Sequence, residues 1–205
     1  MRRICALALA ATFAAAIPTV AVDDTYLQAL AKWRQDRENE LKSDNSWLTV
    51  AGLFFLNHGK NSFGSGPLND IVLPAPAPAE AGALEFDGQK VTLRANQPLT
   101  VNGTEVTTME LRPAGGGKPA DTVTIGPLSF FVHKSGDRLA IRLRDQNSAI
   151  RRNFTGLRWF APNEAYKVTG RFEPYAKPKA VKVPNILGDL EPYTAPGVVS
   201  FTLND

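Results

Sequence analysis

Cysteine is all but missing from these 205 residues: Cys5 is the only one, and it lies inside the N-terminal apolar stretch. One thiol cannot close an intrachain disulfide or build a thiolate zinc site. If that stretch is removed, a cysteine nucleophile is excluded as well. Histidine is nearly as scarce. His58 and His133 stand alone, with no His-x-His or His-Glu-x-x-His spacing, so no zinc site and no other cofactor is expected. The frame of a serine hydrolase is also lacking. Ser65 sits between glycines without Gly-x-Ser-x-Gly around it, and nothing in the spacing of His133, Asp145 and Ser148 links them into a triad. Gly115-Gly116-Gly117 has no Lys-Ser/Thr ending and no helical pattern after it, so it reads as a flexible turn and not a phosphate loop. There is no repeat of fixed period and no alternation of helical and strand patterns.

The chain has 23 Lys and Arg against 20 Asp and Glu, with 43% hydrophobic and 21% charged residues, a composition suited to one soluble globular domain. Its first residues are different in kind. Arg2-Arg3 forms a short basic region, Ile4 to Val20 is apolar and Ala-rich, and Thr19-Val20-Ala21 is a small-x-small cleavage site followed by Asp23-Asp24. This predicts a secretory signal peptide over 1–21 and a single β-rich domain over 22–205, periplasmic or secreted, with no transmembrane segment in the mature chain. Arg3-Ile4 ahead of Cys5 is not a lipoprotein context. Cleavage would remove Arg2 and Arg3 and leave a net charge near +1, which gives no support to nucleic-acid binding.

The densest apolar run of the predicted domain is Ser46 to Pro74. Trp47, Leu48, Val50, Leu53, Phe54, Phe55 and Leu56 are so continuously apolar that they predict a strand buried on both faces, returning through Asn57-His58-Gly59-Lys60 as a β-meander. Trp47, Leu53, Phe55, Phe63, Ile71, Phe154 and Trp159 are expected in one hydrophobic centre. Upstream, Thr25-Tyr26-Leu27-Gln28 has the form of a capping box. Tyr26, Leu27, Leu30, Trp33 and Leu41 recur at helical spacing, so one amphipathic helix ending near Lys42 is expected to pack on the sheet through Trp33, with Glu38 and Lys42 paired.

Downstream, the prolines of 75–82 predict a surface loop. Hairpins are expected around Asp87-Gly88, Asn102-Gly103 and Gly126-Pro127. Lys167 to Phe172 and Val198 to Leu203 read as further strands separated by a Pro-rich connection. The class is all-β: an antiparallel β-sandwich or partly open barrel with one N-terminal amphipathic helix.

One chemical signal survives these exclusions. Arg138 to Arg144 alternates, with Leu139, Ile141 and Leu143 facing one way and Arg138, Arg142 and Arg144 the other; Arg151 and Arg152 follow on a turn-rich segment. Crowded guanidinium groups require neutralisation, either by Asp or Glu on neighbouring strands or by an anionic ligand at Arg138, Arg142, Arg144, Arg151 and Arg152.

The strings WLTVAGLFFL, NSFGSGPLNDIVLP, GDRLAIRLRD and FTGLRWFAPNEAYKVTGRFEPY resemble the bacterial domain of unknown function 1684 family, from about Trp33 onward. That resemblance implies no established activity, and it implies a Tyr-rich, Pro-Cys-containing C-terminal part that is absent here. The chain is therefore expected to be shortened, with an uncovered apolar surface and an exposed sheet edge beside Val198 to Leu203 through which it self-associates. A weaker similarity, Phe63-Gly64-Ser65 to Leu73 with Val101-Asn102-Gly103-Thr104, is to forkhead-associated domains, which read phosphothreonine. This chain departs from that pattern: Gly64-Ser65 stands where Gly-Arg is usual, no Ser-x-x-His occurs between Pro74 and Gly82, and Asn102 alone matches. The function expected is a binding or structural module for an unknown small or anionic ligand. The alternative is a periplasmic enzyme whose site lies partly in the absent segment.

Overall fold

A computed structural model describes residues 23–115, 118–186 and 188–203. The expected signal peptide over 1–21 lies outside these, as do Asn204 and Asp205.

Period-two apolar patterns punctuated by glycine turns produce nine strands of one sheet: β1 (Val50–Phe55), β2 (Gly59–Gly64), β3 (Ile71–Val72), β4 (Gly82–Phe86), β5 (Val91–Val101), β6 (Thr104–Leu111), β7 (Thr122–Ile125), β8 (Leu128–Ser135) and β9 (Arg138–Asp145). Their order is β1-β9-β8-β7-β5-β4-β2-β3, with β6 also paired to β5 and the whole nearly closed into a barrel. All pairs are antiparallel except β2 with β3. The all-β class and the three hairpins stand as expected. At the β5–β6 turn Asn102 and Gly103 both take positive φ, 50° and 85°, the conformation that selects Asn-Gly there.

The core lies between β2, β4, β5 and β7 to β9, around Phe63, Leu84, Leu93, Phe130, Val132 and Ile141. Two buried polar clusters brace it. The Asn61 amide accepts from the Asn57 N–H at 2.8 Å and donates to the Asn57, Gly59 and Leu84 carbonyls. Asp121 accepts from Asn102 Nδ2, Arg112 N and Arg112 Nη2 at 2.7 to 2.8 Å, pinning the Asn-Gly turn.

The expected central element is at the rim. β1 pairs only with β9 and does not form a meander with β2; Leu53 and Phe55 are half-buried, and Trp47, in a 3-10 turn ahead of the strand, is 66% exposed. A continuous apolar run can be satisfied by aromatic and arginine stems lying over it as well as by a second protein layer. Of the seven residues expected in the centre, Phe63 and Ile71 are there.

The helix α1 (Asp24–Lys42) begins two residues earlier than the capping box suggests, with the Asp23 side chain accepting from Thr25 N at 2.9 Å. It buries no residue. Instead of packing on the sheet it docks on the segment after β9. Trp33 stacks edge-on against Trp159 at 5.4 Å, and the Glu38 carboxylate accepts from Leu157 N and Trp159 Nε1 at 3.0 and 2.9 Å. Those two bonds hold the Glu38 carboxyl below its ordinary value, against a small desolvation penalty and with help from the Lys42 charge.

A short helix α2 (Ala149–Arg152) leads, through an irregular stretch, to a separate two-stranded ribbon, β10 (Arg171–Pro184) with β11 (Leu190–Ser200). The prolines expected to form a connection are thus inside strands. A two-stranded ribbon has an unpaired outer edge on each strand, where a missing amide donor costs no ladder bond. Val198 and Val199 of the ribbon, and Phe201 just after it, are exposed.

Candidate anion-binding site

Strand alternation puts Arg138, Arg142 and Arg144 on the outer face of β9, opposite the buried Ile141 and Leu143. Antiparallel pairing brings β1 alongside on one flank and β8 on the other, with Arg142 opposite Leu53 and Phe131, and Arg144 opposite Val50 and Ser129. Each guanidinium lies over an aromatic ring: Arg138 over Phe55 at 3.9 Å, Arg142 over Trp47 at 5.3 Å, and Arg144 over Phe131 at 5.1 Å. These stacks are cation–π contacts, and one of them covers Phe55 of β1, while Phe54 and Leu56 pack against the core.

The three differ in how their charge is met. Arg138 pairs with Asp189, at the tip of the β10–β11 ribbon, at 3.5 Å; Asp189 also accepts from Ser135 Oγ at 2.7 Å. The serine bond, with lesser help from Asn185 and Arg138, holds the Asp189 carboxyl below its ordinary value against desolvation. Arg142 has one polar partner among the described residues, Nε2 of His133 at 3.1 Å. Arg144 has none, and its Nε is buried without an acceptor. Burial first, and then the neighbouring Arg142 charge, hold the Arg144 pKa below its ordinary value. Among the described residues neither Arg142 nor Arg144 meets a carboxylate. The cross-strand ion pairs expected from the sequence are made by Arg138 alone, and with the ribbon in place of a neighbouring sheet strand. Arg142 and Arg144, with Asn45, Ser46, Trp47 and Val50, line a cleft of about 40 Å³, the size of a single carboxylate or oxyanion head.

The other two arginines lie elsewhere. Arg151 donates from Nε to the Lys42 carbonyl at 2.8 Å, from Nη1 to Gln146 O at 2.9 Å and from Nη2 to Asp44 Oδ1 at 2.6 Å, tying the end of α1 to α2. Arg152 is exposed on α2.

Sequence reasoning missed His133, Trp47 and Phe131 as members of this face. Ser129, Phe131, His133 and Ser135 alternate with buried Leu128, Phe130 and Val132, so the outer face of β8 was readable; its register against β9 was not. His133 is held below its ordinary pKa by burial and then by Arg142, with Glu191 of the ribbon acting in the opposite sense. Among the described residues there is no group of three or more His, Cys, Asp or Glu placed to hold a metal ion, and no helix long and apolar enough to cross a membrane.

Residues 152–205 match the family model described as protein of unknown function (DUF1684). This is the resemblance expected from the sequence, located in the segment from α2 through the ribbon. No curated protein matches the chain. Solved structures similar to part of it include a forkhead-associated domain from a study of phosphothreonine-dependent interactions, 22% identical with a TM-score of 0.31, covering 43% of this chain and 79% of that one. They also include the FhaA forkhead-associated domain complexed with an intracellular domain, at 20% identity and a TM-score of 0.30 over 45% of this chain and 97% of that one. Mycobacterium tuberculosis EmbR in complex with a low-affinity phosphopeptide is a third, at 13% identity and a TM-score of 0.30 over 61% of this chain and 32% of that one. Here Asn102, the one residue matching that pattern, has its side chain engaged within the fold, donating to Asp121 and accepting from Thr122 N.

Proposed function

We propose that this is an exported β-domain that binds a small anionic group, a carboxylate, phosphate or sulfate, between Arg142 and Arg144 without transforming it. The observation carrying this reading is the state of the two guanidinium groups. They are adjacent and half-buried, and among the described residues neither meets a carboxylate and between them they make one hydrogen bond, to His133. Partly desolvated like charges repel, and an oxyanion seated between two planar forks relieves that repulsion while taking up their free N–H groups. Trp47 roofs Arg142 and limits water on one side. The competing reading, a periplasmic enzyme, gains no specific observation from this face, where His133 accepts from Arg142 and the Ser135 hydroxyl donates to Asp189.

Calorimetric titration with phosphate, sulfate and citrate at low ionic strength tests the site. Saturable binding that weakens with added salt and is lost in Arg144→Gln is expected. Absence of binding, or binding unchanged by Arg144→Gln, overturns it. Export rests on the N-terminal sequence and is tested by Edman or mass analysis of the mature protein from a bacterial host. A chain starting near Val22 supports it, and an uncleaved cytoplasmic chain overturns it.

A further inference from the structure

Two residues of the α1 stripe expected to face the sheet, Tyr26 and Leu30, face a cleft. Tyr26, Leu30 and Arg34 fall on one side of the helix, and opposite them lie Phe160, Pro162 and Tyr166, enclosing about 400 Å³. That volume belongs to the range of small-molecule sites. The far wall is held in shape by local bonds: Asn163 Oδ1 accepts from Ala165 N at 2.9 Å, and Tyr166 N donates to the Asn163 carbonyl at 3.0 Å. Three rings, Tyr26 at 54%, Tyr166 at 66% and Phe160 at 93% exposure, are thus left lining a shaped space rather than a packed core.

The lining carries two cations, Arg34 and Lys167, and two carboxylates, Asp23 and Glu164, so what sets Arg34 apart is its want of a direct carboxylate partner among the described residues. Arg34 donates from Nη2 to the Phe160 carbonyl at 2.7 Å and lies over Trp159 at 5.4 Å, while its Nε is buried without an acceptor; no ion pair to it is present among the described residues. The acidic residues on the rim are engaged. Asp23 caps α1 through Thr25 N, and Glu164 lies 3.7 Å from Lys167. Aromatic walls favour a flat ring, and a guanidinium whose charge has no counter-ion favours a carboxylate.

We infer that this cleft is a second binding site, for a small aromatic carboxylate whose ring stacks among Tyr26, Phe160 and Tyr166 and whose carboxylate is drawn to Arg34. It is independent of the Arg142–Arg144 face and does not rest on that reading.

The test is calorimetric titration of the protein with 2-naphthoate and, in parallel, with its neutral carboxamide. Naphthoate should bind at least about tenfold more tightly than the amide, since a charge-assisted bond is what separates them. Arg34→Gln should abolish that preference, and Tyr26→Ala should weaken both ligands. Arg142→Gln and Arg144→Gln should leave both affinities unchanged. The proposal is overturned if neither compound binds, if the two bind equally, if the preference survives in Arg34→Gln, or if it disappears in Arg142→Gln. Because Arg34 also holds the Phe160 carbonyl, circular dichroism of Arg34→Gln accompanies the titration. Should that variant not fold, Tyr26→Ala decides, because the half-exposed ring can be removed without touching the core, and unaltered binding there refutes the site.

Discussion

Arg142 Nη2 lies 3.1 Å from Nε2 of His133, so a permanent cation donates to a histidine ring that must be neutral to accept. Protonation of His133 would break that bond and set two cations together. Burial and Arg142 depress its pKa from the ordinary 6.5, while Glu191 alone pulls upward. The folded protein therefore takes up this proton less readily than the unfolded chain. The associated stability is complete above about pH 6.5 and falls as the pH drops below it. Thermal unfolding followed from about pH 7.5 to pH 5.5 should show a declining midpoint, and His133→Gln should flatten that slope. Asp189 and Glu191, whose carboxyls are held below their ordinary values, act in a separate and more acidic window. A wild-type midpoint insensitive to pH over the upper range would refute the role given to His133.

Phe63, 1% exposed and stacked edge-on with Phe130 at 5.5 Å, marks the true centre of the core. Phe63→Ala should cost about 3–5 kcal/mol in chemical denaturation. Phe55→Ala, on the rim beneath Arg138, should cost about 1–2 kcal/mol, from partial burial and a cation–π contact. Equal losses would place the centre back at β1.

Asp121→Ala should destabilise the protein by about 2–4 kcal/mol, because it strands the Arg112 amide and releases the Asn102 turn at a nearly buried position. Burial alone would raise the Asp121 pKa, but the bonds from Arg112 and Asn102 outweigh it and the net shift is downward. This group's contribution is present at neutral pH and is lost on acidification through the carboxylate range. Urea denaturation at two pH values measures both effects.

Asp189→Ala should leave global stability within about 1 kcal/mol of wild type, since the Arg138 pair is largely solvated. Hydrogen exchange should nevertheless quicken at 185–191, where Asp189 fastens the ribbon tip to Ser135. Unchanged exchange there would show that the ribbon is held by other contacts.

Val198, Val199 and Phe201 are exposed beside an unpaired strand edge, so concentration-dependent association should appear in sedimentation experiments. Phe201→Lys should suppress it. A monomer at all concentrations would refute this expectation.

The sequence by itself determined what is local. The turns at Asp87-Gly88, Asn102-Gly103 and Gly126-Pro127, the hairpins they close, and the placing of Arg138, Arg142 and Arg144 on one strand face all follow from backbone φ preferences and a period of two, which need only a few neighbouring residues. The tertiary structure alone decided which strands became neighbours, that α1 seeks Trp159 and not the sheet, and that β1 lies at the rim with Phe55 under Arg138. The physical reason is that apolar burial has no direction. Within one short run Phe54 and Leu56 turn to the core while Phe55 lies under the Arg138 guanidinium, and only pairing across distant segments, such as Val50 with Arg144, decides which residue does which.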